Sequence, residues 1–391
     1  MKGFRWAQLA LALVVLLTGC SGFWDKSSSS GGGGGSASGT FYVLNQGTQQ
    51  VVGFAFASGA ITPTAVASGT ATLGAIPYSV ALAPGGGFLY VSTGGGVFVY
   101  SIASGGGLTL LNNSGAISGD LPTAMAVDGT GTWLIESIGG SGLLRAIPVS
   151  ASTGLLDTTR NSGNPYTANL PNTNLNGIAV SPANSSSPYV FIAMGAGGTE
   201  VIPFSAGSTG NPFGTLSNIA VAKTTGGATA VAVDPTNRLL YVGETVAVTG
   251  TQTGGLRVFN IGSTKLTEVS GSPYPTAGTG PSAIVPLTNY VYVANKAVSG
   301  SGNGNITGYP LVSTAGVYTL GAIINTIAAG PGTVGLAEEN TGTYLLAVNS
   351  GGSPDLSTYT FDSTTPGKLV AGTTLATGTD PTRAIAIAAL P

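Results

Sequence analysis

Histidine is absent from the 391 residues, and cysteine occurs once, as Cys20. The first absence removes imidazole as base, acid or metal ligand, and with it every Ser-His-Asp and Cys-His arrangement. The second rules out an intramolecular disulfide, a thiolate zinc cluster and an iron–sulfur site. Charge is almost as scarce: Asp, Glu, Lys and Arg together make up 7% of the chain, and the formal net charge is −2. Loss of Lys2 and Arg5 with a leader would leave ten basic residues against the 14 acidic ones, a net −4. Such a surface attracts neither nucleic acid nor an anionic membrane. Tryptophan is found only three times, twice before residue 25, so an aromatic sugar platform has little to be built from. No resident cofactor and no metal site is expected.

No apolar run is long enough to span a bilayer. The longest feature of this kind, residues 7–17, follows the basic Lys2 and Arg5 and has the length of a secretion-signal core. It ends in Leu17-Thr18-Gly19-Cys20, an aliphatic residue and two small ones before the sole cysteine. That run resembles the lipobox of bacterial lipoproteins, which implies cleavage before Cys20, lipid on its thiol and a membrane as partner. A plain signal peptide with a coincidental cysteine is the ordinary alternative. Residues 20–39, with Ser27 to Ser30 and Gly31 to Gly35, read as a flexible tether. Among such lipoproteins a residue other than Asp after the cysteine, here Ser21, implies the outer membrane of a two-membrane cell. The expected organisation is a leader over residues 1–19, a lipidated tether over 20–39 and one folded unit over 40–391.

What the chain has in abundance is glycine, 64 residues, spaced among short bursts of β-branched and aromatic residues. That is the texture of an all-β fold with many turns. The bursts recur. A short alternating strand, usually introduced by proline, begins at Pro77, Pro122, Leu175, Ala228, Pro281, Pro331 and Pro381, at intervals of 45, 53, 53, 53, 50 and 50 residues. Each is followed by an aromatic-rich second strand, a third, and a weaker fourth that reads as an outer edge. Periods near 50 residues with four strands each predict the blades of a seven-bladed β-propeller. The chain begins with a second-type strand at residues 41–45 and finishes with a first-type strand at 382–388, so pairing its two ends completes one blade and closes the ring. A β-sandwich needs no such period, and an open solenoid needs no complementary half-repeat.

Tyr42-Val43-Leu44-Asn45 and Tyr292-Val293-Ala294-Asn295 at second strands resemble the bacterial lactonase-like propellers and the related YVTN-repeat proteins. The resemblance spans nearly all of residues 40–391 and implies either hydrolysis of a sugar lactone or an exported propeller without turnover. In a propeller the second-to-third loops share a face with the connections between blades. The second strands there end at Asn45, Thr93, Ser137, Met194, Glu244, Asn295 and Asn349, with Glu136 one residue earlier. Asp120 and Asp380 precede first strands, and Arg383 is read as lying on one. Glu136, Glu244 and Arg383 are therefore the candidate catalytic groups. Asn45, Thr93, Asp120, Ser137, Asn295, Asn349 and Asp380 are the candidate ligand contacts. The plainer reading of these side chains is that they satisfy turn backbone. The adjacent Glu338 and Glu339 read as a solvated turn on the opposite face. The glycine triplets at 94–96 and 105–107 lack the following helix and Lys-Ser/Thr pair of a phosphate loop. Two functions follow: a binding or scaffold module for a small molecule or protein, monomeric, or a lactonase-like hydrolase.

Overall fold

The computed structural model describes residues 39–391 apart from 59, 112–120, 158, 249–253, 263–264, 299–300, 353 and 378–383. The described strands form seven antiparallel sheets, and the innermost strands neighbour one another in an unbroken circle. This is the expected seven-bladed propeller.

Blade 1 is assembled from both ends of the chain. Its innermost strand is Ala384–Ala389, followed outward by Phe41–Asn45, Gln50–Ala55 and Thr64–Thr72. Phe41 pairs with Ala389 and Val43 with Ile387, so the closure inferred from the two half-repeats is present. Blades 2 to 7 then open with Pro77–Leu82, Pro122–Val127, Gly177–Val180, Ala228–Val233, Thr279–Pro286 and Thr333–Glu338. One phase needs correction. The residue of blade 7 equivalent to Pro281 is Thr333, because Thr333 pairs with Asn349 as Pro281 pairs with Asn295. Proline marked the approach to that strand rather than its start. The described part of the first strand of blade 1 begins at Ala384, opposite Asn45, and Arg383, read as lying on that strand, falls outside the described residues.

Second strands are the core of each blade, and Phe41 to Leu44, Leu89 to Val91 and Val291 to Ala294 are fully buried. Their alternating side chains pack toward the blades on either side, giving an apolar cluster at every seam. Polar bolts cross the seams as well. Tyr42, Tyr90 and Tyr292 donate their hydroxyls to the carbonyls of Gly106, Gly154 and Gly367 in the next blade, at 2.8, 2.9 and 2.7 Å. Each acceptor sits in a third-to-fourth turn with φ of +81°, +70° and +78°, a conformation that favours glycine. On the same face, which we call the lower one, the first-to-second turns are held by buried carboxylates. Asp128 accepts the amides of Thr132 and Trp133 at 2.8 and 2.7 Å, and Glu339 accepts those of Thr343 and Tyr344 at 2.7 and 3.0 Å. Glu339 is therefore not the solvated turn residue its sequence position suggested: it is 1% exposed and used by backbone.

Candidate functional site

The upper face carries the second-to-third turns and the connections between blades. Here the first strands of six blades are bulged, with Tyr78, Thr123, Thr229, Ser282, Val334 and Ile385 as the extra residues. Three neighbouring seams use this zone for a bolt. Asn176 donates to the Ala228 carbonyl at 3.0 Å, Thr229 to that of Pro281, and Ser282 to that of Thr333 at 2.7 Å.

The strand-end residues are buried and turned inward. Asn295 donates to the Thr276 carbonyl at 2.9 Å and accepts the Thr276 hydroxyl at 2.7 Å, which clasps the connection leading into its blade. Asn45 repeats this with Thr377, donating to its carbonyl at 3.3 Å and accepting its hydroxyl at 3.0 Å. Asn349 accepts the Thr333 hydroxyl at 2.8 Å and donates to Ser357 at 3.1 Å and Pro354 at 3.3 Å. Thr93 closes its own turn, donating to Gly96 at 2.9 Å and accepting from Gly95 at 3.0 Å. Ser137 donates to the Ala124 carbonyl at 3.4 Å. Register places Ile138, not Ser137, at the true strand end of blade 3, since Ile138 pairs with Pro122 as Thr93 pairs with Pro77.

Glu244 plays the clasp role in blade 5 with a charge. One oxygen accepts the Ala222 amide at 2.8 Å, and the other meets Arg257 at 3.1 Å. Arg257 also donates to the Ala220 carbonyl at 2.6 Å and grips Glu268 through two bonds of 2.9 and 2.6 Å. Burial opposes ionisation of Glu268, but the hydrogen bonds from Arg257 and Ser272 outweigh it and hold its pKa below the ordinary carboxyl value. Sequence reasoning missed Arg257 and Glu268. Their only signal was register, which sets Arg257 opposite Val242, two residues below Glu244 on the same sheet face.

Glu136 lies opposite Arg145, two residues below the rim of blade 3, and is buried. It does not join Glu244, because the whole of blade 4 stands between them in the ring. Asp120, Asp380 and Arg383 fall outside the described residues. Another buried carboxyl, Glu200 on the third strand of blade 4, has its pKa raised by burial, against a hydrogen bond of 3.2 Å from Asn218. No group of three or more metal-ligating side chains occurs among the described residues.

This architecture, a closed seven-bladed propeller with four-stranded blades, is that of the lactonase-like structures. The chain is similar to a candidate 6-phosphogluconolactonase from Bacteroides fragilis, at 13% identity over 92% of this chain and 99% of that one, with a TM-score of 0.67. A second candidate of the same description, from Bacteroides uniformis, aligns at 15% identity over 87% and 98% of the two chains, TM-score 0.63. The periplasmic gluconolactonase of Pseudomonas aeruginosa aligns at 14% identity over 90% and 99%, TM-score 0.61. At such identities the likeness is one of fold. No protein-family model matches the sequence, and no curated protein matches it.

Proposed function

We propose that the chain is an exported propeller, lipid-anchored through Cys20, that works as a binding or scaffold module for a small molecule or protein rather than by turnover. The observation that carries this reading is the state of Glu244: both carboxylate oxygens are committed, one to a backbone amide and one to Arg257. A general base needs an oxygen within hydrogen-bond reach of a water or substrate proton. Asn45 and Asn295 are spent on the connections between blades, and Thr93, Ser137 and Asn349 on hydrogen bonds within their own blades.

Lactone hydrolysis is the second reading, favoured by the shared fold with the lactonases above; fold alone does not set chemistry. A panel of sugar γ- and δ-lactones, with and without divalent metal, separates the two. The scaffold reading expects the protein to leave the spontaneous rate unchanged for every lactone. Turnover that is lost in Glu136→Gln or Glu244→Gln with the fold intact would replace it with the hydrolase.

A further inference from the structure

The seven blades serve as internal controls for one another at the last residue of the first strand. Register aligns Leu82, Val127, Val180, Val233, Pro286, Glu338 and Ala389, each opposite an apolar residue of its own second strand. Six are apolar. Only blade 7 places a carboxyl there, opposite Leu345.

Glu338 shares a strand face with Leu336, two residues earlier, and Leu336 packs in the cluster between blades 6 and 7 with Tyr292, Ala294 and Leu345. Glu338 is itself half-buried, so its carboxyl stands at the edge of this apolar seam. The groups around it give its charge little help. Glu339 follows it, with its own carboxylate occupied by the turn amides. From blade 6 come Tyr290 and Tyr292, and the Tyr292 hydroxyl is bonded to Gly367. Lys368, next to Gly367, is paired with Asp362 at 3.6 Å. The flanking first strands, Thr279–Pro286 and Ala384–Ala389, carry no charge.

We propose that Glu338 makes the seam between blades 6 and 7 a proton-dependent joint, closed while its carboxyl is neutral and loosened when it ionises. Burial first, and the neighbouring Glu339 second, raise its pKa from 4.5 to about 7. The sign follows. An acid whose folded pKa lies above its unfolded value gives full stability below the unfolded pKa, and that stability is lost as pH rises from about 4.5 through about 7. The groups with lowered values, Asp157, Glu268 and Asp362, act below this window and with the opposite sign. The seam has a local reporter: the Leu369 amide of blade 7 donates to Asn325 of blade 6 at 3.3 Å, and Asn325 donates back at 3.0 Å.

The test compares the full chain with Glu338→Gln and Glu338→Leu at pH 5 and pH 8, by melting temperature and by exchange of the Leu369 amide corrected for intrinsic rate. Wild type should lose on the order of 3–6 °C more than either variant between the two pH values. Its Leu369 amide should be less protected at pH 8 than in Glu338→Leu. Glu200, also raised, contributes equally to all three proteins and cancels. A wild-type pH slope matching that of the variants overturns the joint. So does a difference in slope with Leu369 protection unchanged, since the charge would then act elsewhere. Should the leucine variant misfold, Glu338→Gln alone decides by the same two readings.

Discussion

The Asn45 amide and the Thr377 hydroxyl meet at 3.0 Å although 332 residues separate them in the chain. Thr377 is held in turn by Asp355, which accepts its amide at 2.7 Å and, at 2.5 Å, shares with Asn45 the single proton of its hydroxyl. The ring is therefore closed twice: by the ladder between Phe41–Asn45 and Ala384–Ala389, and by a buried polar clasp at its upper end. Asn45→Ala would remove the donor to the buried Thr377 carbonyl, while the Thr377 amide and hydroxyl keep Asp355. We expect it to cost about 1–3 kcal/mol, seen as a lower urea midpoint with unchanged slope. Deleting residues 384–391 should lower the melting temperature far more, since it uncovers the inner edge of a fully buried strand. An unchanged melting curve in the deletion would refute closure as a source of stability.

Gly367 tests the lower bolts. Its φ is +78°, and an added Cβ would fall 2.3 Å from the Tyr290 ring, beside the carbonyl that receives the Tyr292 hydroxyl. Gly367→Ala should destabilise by about 2 kcal/mol or more, combining the left-handed penalty with the clash. Gly207 is the control, for its Cβ would meet nothing within 4 Å. Gly207→Ala should be neutral or slightly stabilising. Equal effects at the two sites would show that the close approach at Gly367 carries no energy.

Cys20→Ser bears on the anchor. The leader and the residues before Cys20 motivate lipid attachment there, so the variant should be released from the membrane fraction or stall as an uncleaved precursor. A variant that is both processed and membrane-bound would end the lipoprotein reading.

The fold was legible because a propeller writes itself in the sequence as a period, and the half-repeats at the ends announce closure. The tetrapeptides at 42–45 and 292–295 were legible as blade markers but not in meaning. Their tyrosines bolt the lower seam to the next blade, while their asparagines clasp the upper connection into their own. Both partners are backbone or threonine groups tens to hundreds of residues away, which no local spacing encodes. Strand phase failed where proline preceded the first strand by two residues, at Pro331. Exposure failed at Glu339, since a carboxylate in a turn reads as solvated unless the amides it will accept are known.

The last prediction concerns Arg257, which bridges Glu244 and Glu268 across three positions of one blade. Its side chain is largely buried, and its guanidinium also lies 4.8 Å from the Phe259 ring. Removing the cation with Arg257→Met keeps the stem and strands Glu244, a 2% exposed carboxylate, beside the Ala222 amide. Loss of one partner from a buried pair costs about 3–5 kcal/mol. Because Glu268 is a third exposed and can turn to water, we expect the lower end of that range. The double variant Arg257→Met with Glu244→Gln should recover much of the loss, as the stranded charge is gone and the amide oxygen can still accept from Ala222. Denaturant midpoints of the two single variants and the double variant form a cycle that measures the coupling directly. A coupling near zero would free Glu244 from its structural role and return it to the list of catalytic candidates.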